Sequence, residues 1–372
     1  MLKQLVVVIS ISLASLLLFW TPFLVKIQTF WGIEFGQHGL ETIVQNFDGP
    51  NYIAVAKTGY NANLLQTQFV GFANPPIYYA AHFPGYPLII RFFDYFLTGP
   101  QSLLVATIVS NILLAIALLI FFRTFIQDEN LALLLSIVAL FFPARILSVR
   151  AVGSSEALYI SCILLSLTFA YKSKDWWAAI LGSIAVLTRS PGILLFGAYM
   201  LAGLWRSKLE IAKLMAKIYP YLLMPLTLTI LFCWYQYSYG DFWAYFNSSS
   251  ELHPVFFPPF LVFSNTAKWI SDMWREEIIY IYLFYSLGIS LVKNKTIKIY
   301  GFLTGSLLLL TAHRDLARYA LPLAPMALLG LAPYIKLKHI KWLLLLIVPI
   351  YLLGWQFVVA NVQAISDWSN LL

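Results

Sequence analysis

Residues 101–122 read QSLLVATIVSNILLAIALLIFF, with no charged side chain among them. A stretch of this length and polarity matches the roughly 20 apolar residues needed to cross a hydrocarbon core. It is one of many. Of the 372 residues, 60% are hydrophobic and 11% charged, and the mean hydropathy is +0.78. A soluble domain carries roughly a quarter charged residues, so the water-soluble class is excluded. Hydropathy outlines spans near 5–25, 101–122, 131–149, 157–171, 176–189, 191–205, 218–238, 278–292, 300–313, 319–335 and 342–360. Several are short, as in broken or kinked helices around a cavity. The expected fold class is an all-α polytopic membrane protein of about 11 transmembrane helices.

The first run, Val6 to Val25, follows Lys3, ends in Phe19-Trp20-Thr21-Pro22 and lacks a small-x-small cleavage site. It reads as an uncleaved span rather than a secretory signal. Cys162 and Cys233 both fall inside apolar runs, which supports neither a disulfide framework nor a thiolate metal site. The net charge of +8 is scattered over loops. A nucleic-acid surface would need one basic stripe.

The basic residues instead give an orientation. Lys3, Arg123, Lys172, Lys174, Arg206, Lys208, Lys213, Lys217, Lys293, Lys295, Lys298, Lys336, Lys338 and Lys341 fall on one side. By the positive-inside rule that side is cytoplasmic. The other side receives most acids, including Glu34, Glu41, Asp48, Asp241, Glu251, Asp272, Glu276 and Glu277. Two long extracytoplasmic loops result, at about 26–100 and 240–277 within a single domain spanning 1–372. In the first, Leu40, Ile43, Val44 and Phe47 are spaced as one face of a short helix on the membrane surface, ending near Asp48. Leu88, Ile89, Phe92, Phe93 and Phe96 form a second apolar face, of interfacial length, which Gly99-Pro100 closes. No internal repeat or low-complexity tract is visible.

Polar groups are costly in or beside a bilayer, and so they are the candidates for chemistry. Asp48 sits in Asn46-Phe47-Asp48-Gly49-Pro50-Asn51-Tyr52, between the surface helix and a polar loop. Its plain alternative is a solvated loop acid or a helix-terminus residue. His82 opens His82-Phe83-Pro84-Gly85-Tyr86-Pro87, a stiff turn; a lone histidine is more often structural than a donor to phosphate. Arg145, Arg150 and Glu156 bracket Val152-Gly153-Ser154-Ser155, and Arg189 lies between two apolar runs. These arginines need a carboxylate, carbonyls, water or an anionic ligand; a structural Arg150–Glu156 pair is the plain alternative. Phosphate suits the planar guanidinium fork. The late cluster His313-Arg314-Asp315-Leu316-Ala317-Arg318-Tyr319 puts Arg314 and Arg318 on one helix face, with Asp315 placed to neutralise one of them. Together these clusters suggest a cationic ring facing one well-placed acid. Tyr78, Tyr79, Trp243, Tyr245 and Phe256-Phe257-Pro258-Pro259 either line a substrate surface or form an aromatic belt.

At these residues the chain resembles the PIG-V-like mannosyltransferases of the GT-C superfamily. The stretch from Phe47 through Asp48, Gly49, Tyr52 and on to Gly59-Tyr60 resembles that family's first-loop motif. His82-Phe83-Pro84-Gly85-Tyr86-Pro87-Leu88, Gly153-Ser154-Ser155-Glu156, Leu187-Thr188-Arg189-Ser190-Pro191-Gly192 and Arg318-Tyr319-Ala320-Leu321-Pro322 resemble four later elements, in order. His82 stands where the family has an aromatic, and Ser154 where it has tyrosine. The resemblance implies a GT-C-type bundle with amphipathic juxtamembrane helices in its first loop. It also implies inverting transfer of a sugar, mannose in this family, from a polyprenyl- or dolichyl-phosphate donor. The acceptor is a hydroxyl of a glycolipid, glycan or protein outside the cytoplasm, as in GPI-anchor-like glycolipid synthesis. Asp48 is then the general base, and Arg189 and Arg318 hold phosphate. His82, Arg150, Arg314 and Tyr319 are further substrate contacts, and Glu156 orients an arginine. The preferred placement is a bacterial cytoplasmic membrane, or the ER membrane in a eukaryote.

No Rossmann-type glycine fingerprint, Asp-x-Asp pair or cluster of acids beside Asp48 is present. A reaction without cofactor is expected, and a divalent ion held by residues distant in sequence stays open. A transporter or flippase with an outward-facing charged cavity is the alternative. The absence of an inverted repeat and the grouping of polar residues on one side weigh against it.

Overall fold

The computed structural model describes residues 1–372 except 37, 70–73, 209, 211–214, 216–217, 250–256, 260–277, 312, 314 and 337–340 and 366. Arg314 and most of the expected second loop, 240–277, therefore lie outside the described residues. The described chain is almost entirely helical. The helices are α1 (Leu2–Leu24), α2 (Glu41–Val44), α3 (Gly49–Thr58), α4 (Ala62–Gln68), α5 (Gly85–Asp94) and α6 (Gly99–Phe125). Next come α7 (Glu129–Val138), α8 (Arg145–Arg150), α9 (Glu156–Tyr171), α10 (Asp175–Thr188), α11 (Leu194–Arg206) and α12 (Leu223–Tyr239). The last are α13 (Ala244–Ser249), α14 (Ile279–Leu291), α15 (Lys295–Leu309), α16 (Leu316–Tyr319), α17 (Ala324–Leu331) and α18 (Ile347–Ala360). One small departure from all-α is an antiparallel hairpin of two-residue strands, Thr29–Phe30 and Ile33–Glu34.

Among the described residues, four helical stretches are long and apolar enough to cross a membrane: Leu2–Leu24, Gly99–Phe125, Leu316–Tyr334 and Trp342–Ala360. Such helices suit a bilayer. The longest, α6, begins where Thr98 N–H donates to Gln101 Oε1 at 3.2 Å, with Pro100 in its first turn. Other expected spans are shorter. The 131–149 run breaks around Phe142-Pro143 into α7 and α8, because proline ends a helix and removes a donor. Helices α9 and α10, of 16 and 14 residues, are short for a perpendicular crossing.

Packing centres on α9, which lies between α6 and α10, while α1 covers α6 and α12 covers α10. Helices α14 and α17 form a second pair that meets at Gly288 and Gly330; a Cβ on Gly330 would fall 1.8 Å from the Gly288 carbonyl.

The two amphipathic segments behave differently. In α5 and just beyond it, Leu88, Phe92 and Phe96 are exposed while Tyr86 and Ile90 are buried, so an apolar face is left uncovered. The first segment departs from its expectation: α2 has four residues, and Ile43, Val44 and Phe47 are buried in protein. Its apolar spacing serves the core. The C-terminal helix holds it there. Asn46 Nδ2 donates to Val358 O at 2.7 Å, Gln363 N–H to Gln45 O at 2.9 Å and Gln363 Nε2 to Phe47 O at 2.7 Å.

Candidate functional site

Asp48 occupies the N-cap of α3, yet its side chain makes no cap hydrogen bond. The carboxylate turns away from its own helix and meets residues far along the chain. Arg318 Nη2 donates to Asp48 Oδ2 at 3.1 Å, and His82 Nε2 stands 3.6 Å from Oδ1. Arg318 Nε also donates to Glu156 Oε1, which accepts from Arg189 Nη1 as well. Ser154 Oγ donates to the other oxygen of Glu156. On the far side Asp315 Oδ1 accepts from Arg145 Nη2 at 2.6 Å, and Asp315 Oδ2 lies 3.9 Å from Arg318 Nη1.

Local sequence explains how these loops approach. Gly153 backs directly onto Gly49; a Cβ there would lie 2.9 Å from Gly49 Cα, so the Asp48 and Glu156 loops can touch only without a side chain. Gly85 likewise lets the His82 turn close on the end of α10, since a Cβ would lie 2.5 Å from Thr188 Oγ1. The turn is pinned by Tyr60 OH, which donates to His82 O at 2.7 Å. Arg189 follows the last residue of α10 in extended backbone, which carries its side chain back to Glu156. Phe47 presents its ring to Arg318, whose guanidinium carbon is 4.4 Å from the centroid, and Arg189 lies 5.4 Å from the Tyr319 ring.

Asp48, His82, Glu156, Arg189, Arg318 and Tyr319 are thus brought together. Two expectations need correction. The site is not a cationic ring facing one acid. Among the described residues, Arg145, Arg189 and Arg318 interlock with Asp48, Glu156 and Asp315, because a buried guanidinium is costly unless it is paired with a carboxylate or fully hydrogen-bonded. Arg150 lies elsewhere and does not pair with Glu156. It is almost fully buried, donating to Leu140 O at 3.0 Å, Asn111 Oδ1 at 2.8 Å and Ser15 Oγ at 2.6 Å. There it ties α8 to α6 and α1.

Exposure separates the three carboxylates. Asp48 keeps 29% of its side chain accessible, against 16% for Asp315 and 2% for Glu156. Asp48 is the acid that a ligand can reach. Burial alone would raise its pKa, but the neighbouring His82 ring and the Arg318 charge outweigh it and hold the carboxyl well below its usual range. Tyr78 is pushed up to about 12 by burial and the nearby Asp48 charge, so its hydroxyl stays neutral.

Arg145 is a sequence candidate without an assigned role, and Tyr52, Ser155 and Asn51 are not singled out in the sequence at all. Arg145 pairs with Asp315 and stacks on Phe357, 3.2 Å from its centroid. Tyr52 OH shares a 3.0 Å hydrogen bond with Ser155 Oγ, and Asn51 Nδ2 lies 3.4 Å from His82 Nε2. Asn51, Tyr52 and Ser155 all lie inside the quoted motifs, one or two places from residues that were chosen. Of the aromatic residues in question, Tyr79 is buried, Trp243 is exposed, and Tyr245 OH shares a 2.6 Å hydrogen bond with Ser190 Oγ beside Arg189. Among the described residues no group of three or more His, Cys, Asp or Glu side chains is placed to hold a metal ion.

The fold and site together define a helical protein with bilayer-suited helices and a buried, charge-balanced cluster that leaves one carboxylate accessible. Compared with known proteins, the chain matches no family model and no curated sequence.

Proposed function

We propose that this chain is a multi-pass membrane glycosyltransferase of the GT-C type, with about 11 membrane-crossing or re-entrant segments. In this reading it moves a sugar, mannose by the motif resemblance, from a polyprenyl- or dolichyl-phosphate donor to an acceptor hydroxyl on the extracytoplasmic side. The supporting observation is the accessible Asp48 carboxylate set against Arg318, with Arg189 on the shared partner Glu156. The chemistry needs such a pairing: an acid to take a proton and guanidinium groups to receive a leaving phosphate.

The acceptor oxygen attacks the anomeric carbon and its proton passes to Asp48. The bond from that carbon to the phosphate oxygen breaks, and the electron pair leaves with the lipid phosphate, inverting the centre. The donor phosphodiester carries one charge and departs as a monoester with more. Arg318 and Arg189 are placed for that developing charge. The Arg318 contact that keeps Asp48 weakly basic at rest also suggests an order of events. A phosphate drawing on Arg318 loosens its hold on Asp48, so the base strengthens once donor is bound.

A transporter reading has less support. Its charged groups would gather near the bilayer midplane, whereas here they collect where α3 and α9 begin and α10 ends. The test is transfer of labelled mannose from polyprenyl-phosphate-mannose by purified protein, with Asp48→Asn as comparison. Loss of a general base lowers the rate by about 10²–10⁴-fold. Equal activity in a folded Asp48→Asn protein removes Asp48 as base; no transfer from any lipid-phosphate sugar removes the enzyme reading.

A further inference from the structure

Helices α9 and α10 both have one end in the Asp48 cluster, and their other ends meet a second polar site. At 1.5 Å per residue the 16 residues of α9 put it about 24 Å away. There a cavity of about 180 Å³ is lined by Asp175, Tyr199, Arg206, Tyr221, Asn294 and Thr296, among others. Among the described residues that line it, one is a cation and one an anion, and the two do not pair with each other. Asp175 Oδ1 accepts from Tyr221 OH at 2.6 Å. The Tyr221 ring stacks on Tyr199 at 4.1 Å, and Tyr199 OH shares a 2.8 Å hydrogen bond with Ser166 Oγ. Among the described residues, the second oxygen of Asp175 has no hydrogen-bond partner.

Arg206, the last residue of α11, donates from Nη2 to Thr296 Oγ1 at 3.3 Å, and among the described residues no carboxylate pairs with it. Thr296 belongs to the first turn of α15, capped by Asn294, whose side chain accepts from Ile297 N–H at 3.1 Å. The positive end of that helix dipole therefore points to the same side as the guanidinium. A cation reinforced by a helix N-terminus fits phosphate, and a separate carboxylate across the cavity fits an ammonium. A zwitterion satisfies both.

The mouth of the cavity indicates where the zwitterion comes from. Tyr171 of the lining is exposed, as are Trp176, Trp177, Trp205 and Tyr219, which stand one or two places in sequence from the lining residues Asp175, Arg206 and Ile218, and Lys295 Nζ sits 4.4 Å from the Trp205 centroid. Exposed tryptophan and tyrosine with lysine mark head-group depth in a bilayer. We propose that this cavity binds the head group of an aminophospholipid, its phosphate on Arg206 and the start of α15 and its primary ammonium on Asp175. The proposal is independent of the reaction assigned to the Asp48 cluster.

The test presents the purified full chain with an equimolar mixture of phosphatidylethanolamine, phosphatidylcholine and phosphatidylglycerol and reads the retained lipid by native mass spectrometry. Phosphatidylethanolamine is expected at about tenfold over either competitor, a charge-assisted hydrogen bond's worth of selectivity. Asp175→Asn keeps an acceptor for Tyr221 and should bring phosphatidylethanolamine down to parity with phosphatidylcholine. Arg206→Gln should lower retention of all three, and Arg206→Lys should restore most of it. Equal retention of the three lipids by wild type, or an unchanged pattern in the folded variants, overturns the proposal. Displacement of bound lipid by equimolar soluble glycerophosphoethanolamine also overturns it, since the site would then serve a free zwitterion.

Discussion

Arg318 and Asp48 are 270 residues apart in the chain and 3.1 Å apart in space. One guanidinium joins the acid of the first loop to Glu156 at the start of α9. The late Arg-Tyr-x-x-Pro element and the first-loop motif therefore act as one unit.

Glu156 is the joint of that unit, buried to 2% and shared by two arginines. Replacing it by glutamine leaves both guanidinium groups short of a charge. Breaking a buried ion pair from one side costs about 3–5 kcal/mol. We expect Glu156→Gln to melt far below wild type in detergent. A melting temperature within a degree or two of wild type contradicts the network described.

Because its pKa lies below the unfolded value of 3.8, Asp48 adds stability above that value and loses it as pH falls through the folded pKa. Its ion pair with Arg318 is thus intact throughout pH 5–8. The acid limb of kcat/KM, which reports free enzyme, should not come from Asp48 in that window. With donor phosphate drawing on Arg318, the acid limb of kcat should lie at higher pH than that of kcat/KM. Coincident limbs would rule out the donor-coupled gain in basicity.

Lysine at 318 keeps the charge and loses the fork that serves Asp48 and Glu156 together. Arg318→Lys is expected to lower kcat by about tenfold or more, as when a transition-state donor is misplaced. The change should fall on kcat more than on KM. An effect confined to KM would make Arg318 a ground-state binding group only.

Arg150 gives the opposite pattern. Its acceptors Leu140 O, Asn111 Oδ1 and Ser15 Oγ lie outside the Asp48 cluster. Arg150→Met removes their donor, at about 1–3 kcal/mol for buried groups left unpaired. Thermal stability should fall while transfer per folded molecule is unchanged. A lost rate at full stability would return Arg150 to the site.

The sequence made the helical class and most helix positions plain, because a 27-residue apolar helix such as Gly99–Phe125 announces itself by composition. It also marked Asp48, His82, Glu156, Arg189 and Arg318 as residues to be explained. Their pairing was not legible. Whether Arg150 or Arg189 reaches Glu156 depends on where α10 ends, and both arginines flank apolar runs alike. Charge balance was hidden for the same reason: Arg145 and Asp315 meet across 170 residues. The spacing of Leu40, Ile43, Val44 and Phe47 misled because a buried face and a lipid-facing one have the same period. The packing of α1, α6 and α18 around that segment decides between them.

That packing has a consequence for biogenesis. The segment leading into Asp48 is fastened by Val358 and Gln363, which leave the ribosome some 300 residues after Asn46. A nascent chain inserted only as far as α17 already holds Asp48, Glu156 and Arg318 but lacks the contacts from Val358 and Gln363 that fasten the segment before Asp48. The segment that carries Asp48 is therefore fully anchored only once residues 358–363 have been made.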